Sequence, residues 1–430
     1  MKNSAASARP LSRRRFLRRS LDCVVLPLGA TLPAQSRGAD ALRPSENPAK
    51  ARPLAQDFSV VVRSRNPRKF HFKEPALIAL PGGTLLCGYE AYGEETGYRI
   101  AASTDGGRTW MSRADLPHLM IGMFFLHRES LYLLANAKSR KDVVLLHSED
   151  EGRSWAKSSV LFQGAFYNGP TGYVMTERTI YRGFGIPRQG GSGYWRGSVV
   201  VAGDLTGDLM KPTSWRITPP VYYPGTPLPL MRKPGWDTED DNWVEPNVVL
   251  VDGQLLVMHR CRMNRPLGSS VSGVCTLTDS GGELKYDFGY FHPMPGSRVK
   301  FFIFHDPVSR LFWNVTNIGS ADLFRGEFRA GPETQFEDDS GHRRILMLMY
   351  STDAHSWFQA GCIVMTRSPA EGFCMAAPAI VGDDLLVVSR TLLGVENPDL
   401  FQSNMITFHR VRDFRSLALD LHPATKGGKA

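Results

Sequence analysis

The chain has 430 residues, with 51 lysines and arginines against 42 aspartates and glutamates and a formal net charge of +9. Residues 1–39 carry eight of those basic residues (Lys2, Arg9, Arg13, Arg14, Arg15, Arg18, Arg19, Arg37) and one acid, Asp22, which leaves 43 basic against 41 acidic side chains in the rest. A nearly neutral body argues against nucleic-acid binding, and its length suits one large domain or a repeat array.

From the N-terminus, Ser12-Arg13-Arg14-Arg15-Phe16-Leu17 precedes an apolar stretch from Leu21 to Leu32 and small residues around Ala39-Asp40-Ala41. The pattern resembles a twin-arginine export signal over residues 1–39, and the apolar stretch is too short to span a membrane. The expectation is a periplasmic or secreted monomer without a membrane span. Residues 40–56, rich in proline and alanine, read as a linker, residues 57–421 as the folded body and residues 422–430 as a disordered tail.

Within the body, short apolar runs recur: Thr84 to Glu90, Ser130 to Asn136, Gln254 to Arg260 and Asp384 to Arg390, with looser copies at Thr179 to Gly185 and Arg310 to Asn317. Each follows another apolar run closed by a turn signal such as Pro81-Gly82-Gly83 or Asp252-Gly253, so these are six hairpins. A third strand and, in several copies, a fourth led by Trp110, Trp155, Trp215 or Trp357 complete each unit. Six units of four antiparallel strands make an all-β, six-bladed β-propeller, with Phe58 to Val62 placed to close the last blade and five or seven blades as the alternatives.

Two turns repeat almost verbatim, S-T-D-G-G-R-T-W at Ser103–Trp110 and S-E-D-E-G-R-S-W at Ser148–Trp155, with a degenerate copy at Ser351–Trp357. In S-x-D-x-G-x-[ST]-W the aspartate accepts hydrogen bonds from turn amides, glycine supplies positive φ and tryptophan anchors the following strand. In an antiparallel blade these turns fall on one rim. The start of strand one and the end of strand two fall on the other, which therefore receives Lys73, Glu74, Glu90, Asn136, Glu245, Arg260, Asn317, Arg390 and either Arg298 or Lys300. Charge concentrated beside apolar strand positions is costly unless paired or meeting a ligand, so that rim is the candidate site.

The repeated turns are Asp-boxes, or BNR repeats. Together with Glu245-Pro246, Arg260 fifteen residues later and the closing segments Val381–Thr391 and Asn404–Arg415, they resemble the sialidase (neuraminidase-like) superfamily and its bacterial sialidase-like branch. The resemblance implies an exo-glycosidase that removes a terminal acidic sugar, sialic acid or a uronate-linked unit, from a glycan or oligosaccharide, its expected partner. It makes Glu245 the base, Glu90 or Glu94 the acid in place of the family's aspartate, and Arg260, Arg390 and Arg298 the carboxylate-binding arginines, with Lys73 at the remaining arginine position. Glu74, His71 and Asn404 complete the candidate substrate-binding set. The family's nucleophilic tyrosine is expected at the start of blade six, where Gly372–Val381 has none. Two alternatives stay open: a polysaccharide lyase using His71 or Lys73 as base on a uronate, and a non-catalytic glycan-binding propeller.

Other features carry less. Val221–Trp243 reads as a proline-rich surface loop whose Asp237, Glu239, Asp240 and Asp241 are the candidate Ca²⁺ ligands, and no cofactor is otherwise expected. Glu333–Arg344 reads as a solvated insertion and His409 as a core histidine. After Cys23 the five cysteines show no metal-ligand spacing and read as buried free thiols.

Overall fold

The computed structural model describes residues 52–94, 96–188, 195–227, 241–262, 270–297, 299–318, 343–366, 368, 371–395 and 403–419. Among them, 25 strands form six antiparallel sheets. After β1 (Ser59–Arg63), blade one is β2 (Phe70–Ala79), β3 (Leu85–Gly93), β4 (Gly97–Ser103) and β5 (Met111–Leu116). Blade two is β6 (Leu119–His127), β7 (Ser130–Ala137), β8 (Lys141–Ser148) and β9 (Lys157–Ala165). Blade three is β10 (Val174–Met175), β11 (Thr179–Pro187), β12 (Trp195–Asp204) and β13 (Trp215–Ile217), with β14 (Val221–Tyr222) also on β12. Blade four is β15 (Asn242–Val251), β16 (Gln254–Arg262), β17 (Val271–Asp279) and β18 (Leu284–Pro293). Blade five is β19 (Phe302–Asp306), β20 (Leu311–Asn317), β21 (Ile345–Ser351) and β22 (Phe358–Met365). Blade six is β23 (Gly372–Val381), β24 (Asp384–Leu392) and β25 (Met405–Val411), closed by β1 pairing with β25. This is a six-bladed β-propeller.

Local chemistry dictates the hairpins. Asp252 and Gly253 both hold positive φ, 47° and 81°, between paired Val251 and Gln254, the two-residue turn that matches strand twist. Blades then pack face to face: Phe72, Leu85 and Cys87 of blade one bury against Leu386, Val388 and Phe408 of blade six. Ring closure extends before β1, because the Leu54 and Ala55 amides donate to the Cys362 and Ile363 carbonyls at 2.7 and 2.8 Å. The sequence reading leaves both residues in the linker. Their attachment to blade five is assisted by His409, fully buried as a core histidine, whose Nδ1 lies 2.9 Å from the Ala55 carbonyl.

The repeated turns lie between the third and fourth strands. Asp105 accepts from the Arg108 and Thr109 amides at 2.9 and 3.0 Å, Asp150 from those of Arg153 and Ser154 at 3.0 and 2.9 Å. The degenerate copy does the same, Asp353 accepting from His355 and Ser356 at 2.8 and 2.7 Å. These bonds, the Ser154 amide first, hold the Asp150 carboxyl down at about 2. Gly107 has no substitute: its φ is +90°, and a Cβ there would stand 2.2 Å from the Phe408 ring.

Two features of the axis position the site. The innermost strands of blades one, two, four and six each slip register: between Lys73 and Ala76, Leu119 and Gly122, Val244 and Asn247, and Cys374 and Ala377. Such bulges re-aim side chains. Below them an apolar channel of about 620 Å³ is lined by inner-strand residues such as Leu77, Phe124, Val248, Ile303 and Ala379. Pro170 lines it too, in a segment fastened across the axis by Asn168 Nδ2 donating to the Gly183 and Pro246 carbonyls at 2.7 and 3.2 Å, and by the Gly172 amide donating to Asn247 Oδ1 at 2.8 Å.

Candidate functional site

Strand register brings the charged residues to one rim: Lys73 pairs with Glu90, Val244 with Arg260 and Cys374 with Arg390. At the bulges, Glu74 and Glu245 hold φ of 47° and 55° directly before a proline. A pre-proline residue ordinarily sits near φ of roughly −120°. Both carboxylates are therefore held in left-handed backbone that non-glycine residues adopt at a cost, and both side chains are buried.

Glu245 is 1% exposed and has two partners. Arg260 Nη1 donates to its Oε2 at 3.1 Å, and the Tyr167 hydroxyl donates to its Oε1 at 3.1 Å. Burial raises the Tyr167 hydroxyl well above its ordinary value, with the charges of Glu74 and Glu245 adding to it. The Arg260–Glu245–Tyr167 chain thus joins an ion pair to a phenol.

Glu90 is the opposite case. It is 0% exposed, and neither carboxylate oxygen has a hydrogen-bond partner. Burial pushes its carboxyl up to about 7, against the opposing charge of Arg140 and helped by Glu74. Glu74 Oε2 is also buried without a partner, and the close approach leaves room only for glycine at position 169, where a Cβ would stand 2.2 Å from that oxygen.

Cations surround these acids. Lys73 is pushed down to about 8 by burial and by the charge of Arg390, and its Nζ lies 4.0 Å above the Tyr92 ring. Lys300, 1% exposed, donates to the Pro170 carbonyl at 2.5 Å and is pushed down to about 8 by burial. Arg390 is buried, and burial lowers it too. Arg140 stacks over the Tyr167 ring at 4.8 Å.

The remaining candidates fall elsewhere. Glu94, at the outer end of blade one, is exposed and ion-paired with Lys69 at 3.2 Å, so Glu90 is the carboxyl of that pair that joins the buried cluster. His71 is buried, its ring 5.2 Å from that of Tyr92. The Asn404 amide is taken up by the Leu393 backbone, accepting from its amide at 3.1 Å and donating to its carbonyl at 2.8 Å. Asn136 and Asn317 likewise donate to backbone carbonyls, of Lys141 at 3.3 Å and of Phe373 at 2.7 Å. Arg298, Asp237, Glu239 and Asp240 lie outside the described residues. Asp241 is buried and accepts from Thr226 Oγ1, and no cluster of three metal-ligating side chains occurs among the described residues. Sequence reasoning missed Tyr167, Arg140 and Tyr92. Tyr167 lies in Phe166–Gly172, whose only signal is an aperiodic run of asparagine, glycine and proline before blade three.

The chain matches no protein-family model and no curated protein. Solved structures do resemble it. One is the α-L-arabinanase of Penicillium chrysogenum complexed with arabinobiose, at 13% identity and a TM-score of 0.52, covering 84% of this chain and 99% of that one. Another is the sialidase of Trypanosoma rangeli in complex with a difluorosialic acid as covalent intermediate, at 14% identity and a TM-score of 0.55, covering 85% of this chain and 58% of that one. The fold is that of the sialidase-like propellers. A third, the family 93 α-L-arabinofuranosidase of Fusarium graminearum with arabinobiose, aligns at 12% identity over 84% of this chain and 98% of that one, with a TM-score of 0.50. At these identities the likeness concerns the fold, and chemistry has to be argued from the rim. Among the described residues no helix is long and apolar enough to cross a membrane.

Proposed function

We infer that the chain is a glycoside hydrolase that removes a terminal acidic sugar from a glycan. The observation that carries this reading is Glu90: a fully buried carboxyl with no hydrogen-bond partner, held near 7, on the rim that also carries the ion-paired carboxylate of Glu245. Two carboxyl groups in contrasting environments are the arrangement that acid-assisted glycoside cleavage needs. Protonated Glu90 gives its proton to the glycosidic oxygen as the bond to the anomeric carbon breaks. The Tyr167 oxygen attacks that carbon while its proton passes to Glu245 across the 3.1 Å hydrogen bond. Water then releases the sugar from tyrosine, giving its proton back to Glu90 while Glu245 returns its proton to the departing tyrosine oxygen. This recovers a tyrosine–glutamate pair although blade six lacks the tyrosine. Arg260 and Arg390, with Lys73, supply planar or point charges for the sugar carboxylate.

Lys73, pushed down to about 8, also suits proton abstraction beside a uronate, and this favours the lyase as the second reading. Incubating the purified protein with sialyl, uronosyl and rhamnosyl-uronate glycans and weighing the products separates them. Hydrolysis adds one water across the cleaved bond. An unsaturated fragment one water lighter would replace this reading with the lyase, and tight binding without turnover would leave a glycan-binding propeller. Twin-arginine export and a monomeric state belong to the same proposal.

A further inference from the structure

Arg140 has no role in the scheme above, yet it is placed with care. It closes the β7–β8 turn of blade two, where Ser139 and Arg140 both hold left-handed backbone, with φ of 67° and 55°. The turn is fastened on both flanks: the Ser139 amide lies 3.0 Å from Met120 Sδ, and the Phe166 amide donates to the Arg140 carbonyl at 3.0 Å. Strained backbone held this firmly fixes where a side chain goes. Here it turns a half-buried guanidinium inward, over the Tyr167 ring, with Nε buried and lacking a hydrogen-bond partner. Stacking occupies the face of the guanidinium and leaves its in-plane donors for a planar anion.

The order of contacts gives the direction. Arg260 meets Glu245, Glu245 meets the Tyr167 hydroxyl and the Tyr167 ring meets Arg140. Tyr167 therefore stands between the two arginines. Arg140 is also the largest charge acting on Glu90, the group that protonates the departing oxygen. The scheme above already gives the sugar carboxylate to Arg260, Arg390 and Lys73, so the anion left for Arg140, beside the acid, is one on the departing sugar.

We propose that Arg140 binds a carboxylate or sulfate on the departing sugar, so that the substrate is a glycan acidic on both sides of the cleaved bond. The proposal rests on the hydrolase reading with Glu90 as acid. Its test uses two disaccharides with the same terminal acidic sugar, one linked to a uronate and one to the matching neutral hexose. Wild type should favour the uronate-linked compound at least about tenfold in kcat/KM, the worth of one charge-assisted hydrogen bond, and Arg140→Gln should erase that preference. Arg140→Lys, which keeps the charge and loses the fork, should retain part of it. Binding of both compounds to Glu90→Gln, which leaves them intact, gives the same comparison without turnover. Equal preference in wild type and Arg140→Gln overturns the role of Arg140 while hydrolysis stands. Failure of wild type to bind or cleave either compound overturns the hydrolase reading itself.

Discussion

Glu90 allows its environment to be tested without any substrate. Its carboxyl is held near 7 in the fold against an ordinary 4.5. Between those values the folded chain keeps a proton that the unfolded chain has released, so stability present below pH 4.5 is lost as pH rises through 7. At about 1.4 kcal/mol per pH unit the gap is worth about 3 kcal/mol, and for a domain of this length about 4 °C in Tm. Lys73 works in another window. Held near 8 against 10.5, it is unprotonated in the fold where the unfolded chain still binds the proton, so its contribution to stability grows only as pH rises through 8 towards 10.5. Replacing Glu90 by Gln removes its titration and nearly preserves its shape. Thermal unfolding followed by circular dichroism at half-unit steps from pH 4.5 to 7.5 should show Tm of Glu90→Gln rising relative to wild type by about 4 °C across the window. Parallel curves would refute the claim that a buried, unpartnered carboxyl is present. Turnover should follow the same group, kcat/KM falling above about pH 7 as the acid loses its proton.

The other tests address single contacts. Arg260→Lys should chiefly raise KM and Glu245→Gln chiefly lower kcat, and Glu245→Gln should also cost about 3–5 kcal/mol in urea unfolding because Arg260 is left buried without its carboxylate; equal kinetics in both variants would make the pair a structural bridge. Tyr167→Phe loses one hydrogen bond, about 1 kcal/mol, yet should reduce turnover at least about a hundredfold, and activity near wild type would remove tyrosine from the mechanism. Asp353→Ala should lower stability by about 1–3 kcal/mol with kcat/KM unchanged, since its turn lies on the rim away from Glu90; a selective loss of activity would contradict that placement. Replacing Arg13 and Arg14 together by Lys should leave folded precursor in the cytoplasm on fractionation, and normal export would refute the twin-arginine reading.

The blades were legible because each hairpin is written locally. Asp252-Gly253 fixes one turn, and the turn fixes which strand ends share a rim, so Glu90, Arg260 and Arg390 could be grouped without any tertiary information. Side-chain partners are another matter. Asn404 stands at a strand end like a rim residue, but its amide is taken by Leu393, a contact made across a connection and invisible in the pattern. Glu90 and Glu94 looked equivalent as acids, yet one lies inside a blade and the other at its exposed edge. Tyr167 was the hardest to see. Its position is set by an aperiodic segment tied to blade four through Asn168 and Thr171 reaching the Pro246 carbonyl, bonds that span 78 and 75 residues of chain.

The bulges show which part of the rim is architecture and which is chemistry. Met375 of blade six holds φ of 53°, close to Glu74 and Glu245, at the same slip in register, and it packs among Val299 and Cys374 as an ordinary apolar residue. The strained backbone therefore belongs to the propeller and cannot by itself mark a site. What sets the two glutamates apart is the proline after each and the fate of the carboxylate. Burying a methionine at a bulge costs little, whereas burying a carboxylate demands a counter-charge or a ligand. Glu245 has its counter-charge in Arg260, while Glu74 Oε2 and both oxygens of Glu90 have no hydrogen-bond partner. A rim that keeps three buried carboxyl oxygens without one, next to lysines held near 8, lowers the stability of the fold, and that cost is what singles it out as a candidate site rather than architecture.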